Sequence, residues 1–321
     1  AVIGALIVVL YCFAGGIRAS IWTDAAQSFV MIIAMALMLG ISLITLGGWG
    51  GFVDKLYMVS PDYMALFPTD LAFSSPVGPA LFVLGWVFAG AGVIGQPHIM
   101  VRFMAMDNPQ HMRRVRMYYY GWYSLFYVMT ILAALAARLL LPEVANFDAE
   151  LALPSLAQEL LPPVLVGLVL AGLFAATIST ADSQILSCTA AITHDFSKKR
   201  LNTYMANKIA TICVTLLALG IALSGNESVF VLVLVAWSTL ASAFGPLLIG
   251  FALKQRIPQP VALIMMAAGV ATVLLWREYE LGWIIYEIAP GMLAGLLVLF
   301  LAKLTGHVRT SQSESDIPAP Q

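Results

Sequence analysis

The chain has 321 residues, of which 61% are hydrophobic and 10% charged, with a net charge of −1 and a mean hydropathy of +0.91. A water-soluble domain carries roughly a quarter charged residues, so this composition excludes an ordinary soluble domain. Repeated apolar runs near the ~20 residues that cross a bilayer predict an all-α polytopic membrane protein instead.

Taken in chain order, nine spans are predicted: 1–15, 22–46, 78–103, 117–141, 161–192, 207–224, 229–252, 259–276 and 283–302. Lys and Arg alternate between the loops that join them. Thirteen fall on one side (Arg18, Arg102, Arg113, Arg114, Arg116, Lys198, Lys199, Arg200, Lys208, Lys254, Arg256, Lys303, Arg309), against Lys55, Arg138 and Arg277 on the other. The basic side is expected to be cytoplasmic, with the C-terminus inside. The opposite loops are acidic, with Asp54, Asp62, Asp70, Glu143, Asp148, Glu150, Glu159, Glu278 and Glu280. Ala1 opens within an apolar run without Met or a cleavage signal, as expected of a fragment. Residues 1–303 read as a membrane-embedded core and 304–321 as a short polar cytoplasmic tail without fixed structure. Cys12, Cys188 and Cys213 sit in apolar stretches at unrelated spacings, which fits small buried hydrophobes rather than a disulfide frame or metal site.

Two spans carry features that a lipid-facing helix does not need. The third contains Gly85, Trp86, Gly90, Gly92, Gly95, Gln96, Pro97 and His98. Glycine loosens a helix and proline removes a donor. A helix break at membrane depth is tolerated where the freed backbone lines a cavity or meets protein partners. Close helix packing through small residues is the competing reading for the glycines. The fifth span turns polar halfway along, with Thr177, Ser179, Thr180, Asp182, Ser183, Gln184, Ser187 and Thr189. Hydroxyls and a carboxylate at that depth are costly unless they serve a cavity, relay or ion site. Ser and Thr back-bonded to carbonyls one turn earlier are the plain alternative.

Several segments together bear a resemblance. Gly15-Gly16 with Trp22-Thr23-Asp24 and Gln27 resembles a turn of the sodium:solute symporter family, and Gly95-Gln96-Pro97-His98-Ile99 with Arg102-Phe103-Met104-Ala105 resembles a stretch of its sodium/proline branch. Ser179-Thr180 with Ala191-Ile192-Thr193 and Asp195 is similar to another of its helices. Ala236-Trp237, Ala243-Phe244-Gly245-Pro246, and Tyr286-Glu287-Ile288 with Pro290-Gly291 follow in the same order. The resemblance covers nearly everything up to about residue 303. It implies a LeuT-type inverted-repeat fold, begun near the fifth of about thirteen helices, so that the first broken core helix, with half of each binding site, lies outside this chain.

It also implies sites. The sodium ligands carried over are the hydroxyls of Ser179 and Thr180 and the carbonyl of Ala176. Asp182 and Ser183 depart from the neutral residues of the proline symporters. With Asp24 they form a possible second cation or proton site, as in some sodium/sugar relatives. An N-cap at Asp24 boxed by Gln27, and an Asp182 that simply faces cytoplasmic water, are the rival readings. Trp86, Gln96 and Pro97 are the candidates for lining the solute site. The proline branch has aromatics eight and four residues before its proline; here those positions are Ala89 and Val93.

The expected function is sodium-coupled import of a small solute, a proline-like amino acid or carboxylate, across a bacterial inner membrane by alternating access. Sodium is the coupling ion, and no cofactor, catalytic residue or nucleic-acid partner is expected. The alternatives are a proton-coupled symporter using Asp182 and a membrane sensor built on the same fold. An intramembrane enzyme at Asp182 or Ser183 lacks a matched second acid or His at helical spacing. The Arg113-Arg114-Arg116 run reads as a topology and lipid-headgroup signal, and Tyr118-Tyr119-Tyr120 with Trp122-Tyr123 as an interfacial aromatic belt.

Overall fold

The structure is a computed structural model that describes residues 2–141, 147–195, 203–224 and 228–310; at residues 14–19 and 310 it describes the backbone alone. In chain order the helices are α1 (Val2–Thr45), α2 (Gly48–Val59), α3 (Val77–Ala91), α4 (Pro97–Met104), α5 (Met112–Leu140), α6 (Ala152–Leu160), α7 (Pro163–Ala190), α8 (Tyr204–Ser224), α9 (Val229–Ala252), α10 (Gln259–Glu278) and α11 (Ile288–Leu304). Among the described residues seven helices are long and apolar enough to cross a membrane, and Val2–Phe13 and Ile288–Leu304 are shorter apolar helices. The protein is thus an all-α, multi-pass membrane protein. Exposed Leu, Ile, Val and aromatic side chains cover most of these helices, as a lipid solvent requires.

The helices gather into two compact units, one of residues 1–66 and 105–225, the other of residues 67–104 and 226–321. In the first, α7 lies along α1. Helices in lipid approach closely where small residues allow it, and Gly172 is such a point: a Cβ there would stand 2.8 Å from Ala34 Cβ. Ala34, Met38, Ala137, Leu156, Ala157 and Val169 form the core where α1, α5, α6 and α7 meet. Phe52 and Leu56 of α2 close against Ala136 of α5. The expected turn at Gly15-Gly16 does not form. The backbone stays helical from Val2 to Thr45, so the spans read at 1–15 and 22–46 are one continuous helix. Glycine weakens a helix by about 1 kcal/mol against alanine without ending it, and no proline is present to do so.

In the second unit, α9, α10 and α11 pack side by side. The crossing of α9 and α11 depends on absent side chains: a Cβ at Gly295 would lie 2.6 Å from Pro246 Cγ, and one at Gly291 would run into Ser242 Oγ. Ala241, Ile288 and Met292 are buried at the centre, with Phe88, Ile94 and Trp237 against them. Beyond α11, Arg309–Thr310 pair antiparallel with Gln255–Arg256 and Val308 is 3% exposed, so the start of the segment read as an unstructured tail is folded back onto this unit. Residues 311–321, like Glu143 and Lys198-Lys199-Arg200, lie outside the described residues.

Candidate ion and solute sites

The first candidate site is built on α7, inside the first unit. Residues 176, 179, 180, 183 and 187 recur every three or four positions and so share one face of an unbroken helix. Thr180 Oγ1 donates to the Ala176 carbonyl at 3.1 Å, Ser183 Oγ donates to the Ser179 carbonyl at 2.7 Å, and Ser187 Oγ to the Ser183 carbonyl at 2.8 Å. Back-bonding of this kind uses the hydroxyl hydrogen. It leaves the lone pairs of each hydroxyl directed away from the helix, while each of these carbonyls is shared between its helical amide and the hydroxyl, as in the plain back-bonded reading. Thr180 is exposed, with Ala176 and Ser179 half-buried. The face therefore presents a column of hard oxygens of the type a sodium ion takes.

Asp182 and Ser183 sit differently. Asp182 is 0% exposed and Ser183 8%, which rules out an Asp182 bathed in water. The carboxylate lies on the side of α7 that carries Ile178 and Ile185, packed with Val8, Tyr11 and Cys12 of α1. Asp24 stands in the middle of α1, where the amide donors are already bonded within the helix, so it caps nothing and the N-cap reading falls. Its Oδ2 accepts from Ser20 Oγ at 3.4 Å. Both Asp24 and Asp182 are within electrostatic range of the Tyr11 hydroxyl. That hydroxyl and Gln27 Oε1 are buried oxygens without a hydrogen-bond partner among the described residues. Tyr11 carries no signal in the sequence, because one tyrosine in an apolar run reads as an ordinary membrane aromatic.

The second candidate site is the break between α3 and α4, inside the second unit. The α-helix ends at Ala91, a 3₁₀ turn covers Gly92–Gly95, Gln96 is extended at φ −92° and ψ 108°, and α4 restarts at Pro97. The glycines pack as well as loosen: a Cβ on Gly92 would come 2.5 Å from Ile288 Cδ1, and one on Gly95 2.5 Å from Ala241 Cα. Main-chain carbonyls at and beside the break are held from the side. Trp237 Nε1 donates to the Ala89 carbonyl at 3.0 Å. Gln96, 1% exposed, donates through Nε2 to the Gly92 carbonyl at 3.3 Å and the Trp237 carbonyl at 3.1 Å.

The three solute candidates are not brought together. Gln96 is enclosed by these bonds, Pro97 is exposed at the start of α4, and Trp86 lines a separate cavity of about 290 Å³ with Phe82, Phe230, Leu234 and Tyr286. Trp86 stacks on Tyr286 at a centroid distance of 5.9 Å. Ser238 Oγ donates to the Tyr286 hydroxyl at 2.8 Å, and beside it Glu287 pairs with Arg277 at 3.0 Å. Sequence reasoning gave Ser238 no role, read Arg277 as a topology charge and Glu287 as part of a motif, and did not join them, since their contacts link positions ten to 49 residues apart.

Known proteins agree with this architecture. The profile of the sodium:solute symporter family matches residues 1–269. The chain belongs to the sodium:solute symporter family. The sodium/proline symporter of Escherichia coli (strain K12) is 31% identical over 94% of this chain and 61% of its own length. The high-affinity proline transporter PutP of Bacillus subtilis (strain 168) is 29% identical over 93% of this chain and 63% of its own. The chain thus spans about three-fifths of the length of these relatives. A solved structure of a Na+-coupled sialic acid symporter, substrate-bound and outward-open, aligns with a TM-score of 0.75 over 97% of this chain and 68% of that one, at 18% identity. The fold is the LeuT-type transporter fold, and the family is one of transporters, with sodium as its coupling ion.

Proposed function

We propose that the protein is a sodium-coupled symporter that imports a small organic solute, a proline-like amino acid or carboxylate, across a bacterial inner membrane with its C-terminus inside. The observation that carries the reading is the oxygen column on α7. Ala176, Ser179 and Thr180 offer a carbonyl and two hydroxyls on one face, in a helix otherwise made for lipid. Sodium held there stabilises the outward-open state, and its release into the sodium-poor cytoplasm frees the solute. The relatives named for proline support the solute class. Ala89 and Val93, at the aromatic positions of the proline branch, favour a solute other than proline itself.

Asp24, Asp182 and Ser183, near Tyr11, form a second cation or proton site. Its support is a carboxylate wholly removed from water on the membrane-buried part of α7. Trp86 and the break at Gln96-Pro97 contribute to the solute path. Uptake of labelled proline, other small amino acids and carboxylates into vesicles holding the full-length protein tests the whole reading, with inward gradients of sodium, potassium or protons applied in turn. Uptake that follows sodium alone is the expected result. Uptake that follows protons alone transfers the coupling role to Asp182. Solute binding without uptake under any gradient overturns symport in favour of a sensor.

A further inference from the structure

We infer that the start of α5 holds an anionic phospholipid, with its headgroup phosphate in a basic cup and one acyl chain along the helix. The cup is a cavity of about 410 Å³ lined by Gln110, His111, Arg113, Arg114, Met117 and Tyr118. Among the described residues neither Arg113 nor Arg114 has a carboxylate partner. His111 alone has one, Asp107 at 3.5 Å. Two guanidiniums, an imidazole and an amide converging on one concavity supply the forked donors that a phosphate takes. The turn that shapes the cup is itself fixed, because the Asn108 side chain accepts from the Gln110 amide at 2.9 Å.

The occupant is a lipid rather than a soluble phosphate because of what lies below the cup. Arg114, Tyr118, Gly121, Leu125 and Val128 succeed one another at four, three, four and three residues, so one face of α5 passes from cationic to apolar within two turns. Tyr118 is 73% exposed, Leu125 52% and Val128 53%, and a Cβ at Gly121 would meet nothing within 4 Å. That absent side chain leaves a shallow channel between Tyr118 and Leu125, aligned with the helix as an acyl chain is aligned in a bilayer. Charge at the water boundary and an apolar channel running inward from it match the two ends of an acidic phospholipid. The assignment requires the membrane reading of α5 and not the transport reading, since lipid is bound without any gradient.

The test is made on the full-length protein, delipidated in mild detergent and titrated with dioleoyl phosphatidylglycerol, dioleoyl phosphatidylcholine or inorganic phosphate, with bound molecules counted by native mass spectrometry. Phosphatidylglycerol is expected to bind in preference to phosphatidylcholine. The Arg113→Gln/Arg114→Gln double variant is expected to lose roughly 10- to 30-fold in phosphatidylglycerol affinity. Gly121→Leu, which fills the channel and leaves every charge in place, is expected to weaken the lipid and not phosphate. Equal binding of the two lipids overturns the assignment, as does an unchanged affinity in the double variant. Inorganic phosphate that displaces the lipid at matched concentration, with Gly121→Leu silent, makes the cup a soluble-anion site instead. All three substituted residues are exposed, so these variants keep the fold.

Discussion

Helices α7 and α3–α4 solve one problem in opposite ways. Each must present oxygen atoms within an apolar segment. On α7 the main-chain ladder stays intact and the oxygens come from hydroxyls stacked along one face. In α3–α4 the ladder is interrupted, the oxygens are main-chain carbonyls, and two side chains, Gln96 of the break itself and Trp237 of α9, hold them in place. The difference teaches where each site is vulnerable. An unbroken polar helix loses function one hydroxyl at a time and keeps its stability. A broken helix depends on its packing, and a change there reaches the fold first.

The harshest test of that contrast is Gly95→Val. A Cβ at this position meets Ala241 Cα at 2.5 Å, a backbone atom that cannot swing aside. The expected loss is about 3 kcal/mol of stability, seen as a lower thermal midpoint of the detergent-solubilised protein. A midpoint within a degree or two of the parent would show that the break is loosely packed. Next is Gln96→Leu, which removes two hydrogen bonds from a residue 1% exposed and sets an apolar side chain against the Gly92 and Trp237 carbonyls. It should cost about 2 kcal/mol and alter solute affinity along with stability; loss of one without the other would separate the break's two duties.

On α7 the same experiment should read differently. Thr180→Ala is expected to raise the sodium concentration for half-maximal uptake about tenfold, equivalent to about 1.4 kcal/mol, with the thermal midpoint unmoved. Solute affinity at saturating sodium should also hold. An unchanged sodium dependence removes Thr180 from the ion site. The smallest effect is expected for Tyr286→Phe, which deletes the bond from Ser238 but keeps the stack on Trp86. About 1 kcal/mol of stability should be lost, and a loss of solute affinity beside it would mark the hydroxyl as a solute contact.

The bounds of α9 coincide with the run at 229–252, because Ser228 caps its first turn and a long run without charged residues follows, which stays helical through Pro246. The break was legible at Gly92-Gly95-Gln96-Pro97, where loosening residues and a proline coincide with a buried amide. The Gly15-Gly16 pair does not break its helix, since glycine alone only weakens a helix and no proline follows it in α1. The α7 hydroxyls were legible because they share a helical face. Their surroundings were not: the placement of Tyr11 near Asp182, or of Ser238 beside Glu287, depends on how separate helices meet, and no local pattern encodes that.

The anchoring of the break has a consequence for how such a protein can diversify. Trp237 and Gln96 grip carbonyl oxygens, which every residue possesses, rather than the side chains at the positions they hold. Gly92 and Gly95 are closed to variation by contact, whereas the partly exposed Ala89 and Val93 carry no part of that grip beyond the Ala89 main chain. An exchange at residue 89 or 93 therefore leaves the main-chain anchors in place, whereas any side chain at Gly92 or Gly95 collides with Ile288 or Ala241, so variation in this stretch is channelled to the positions between the glycines rather than onto them.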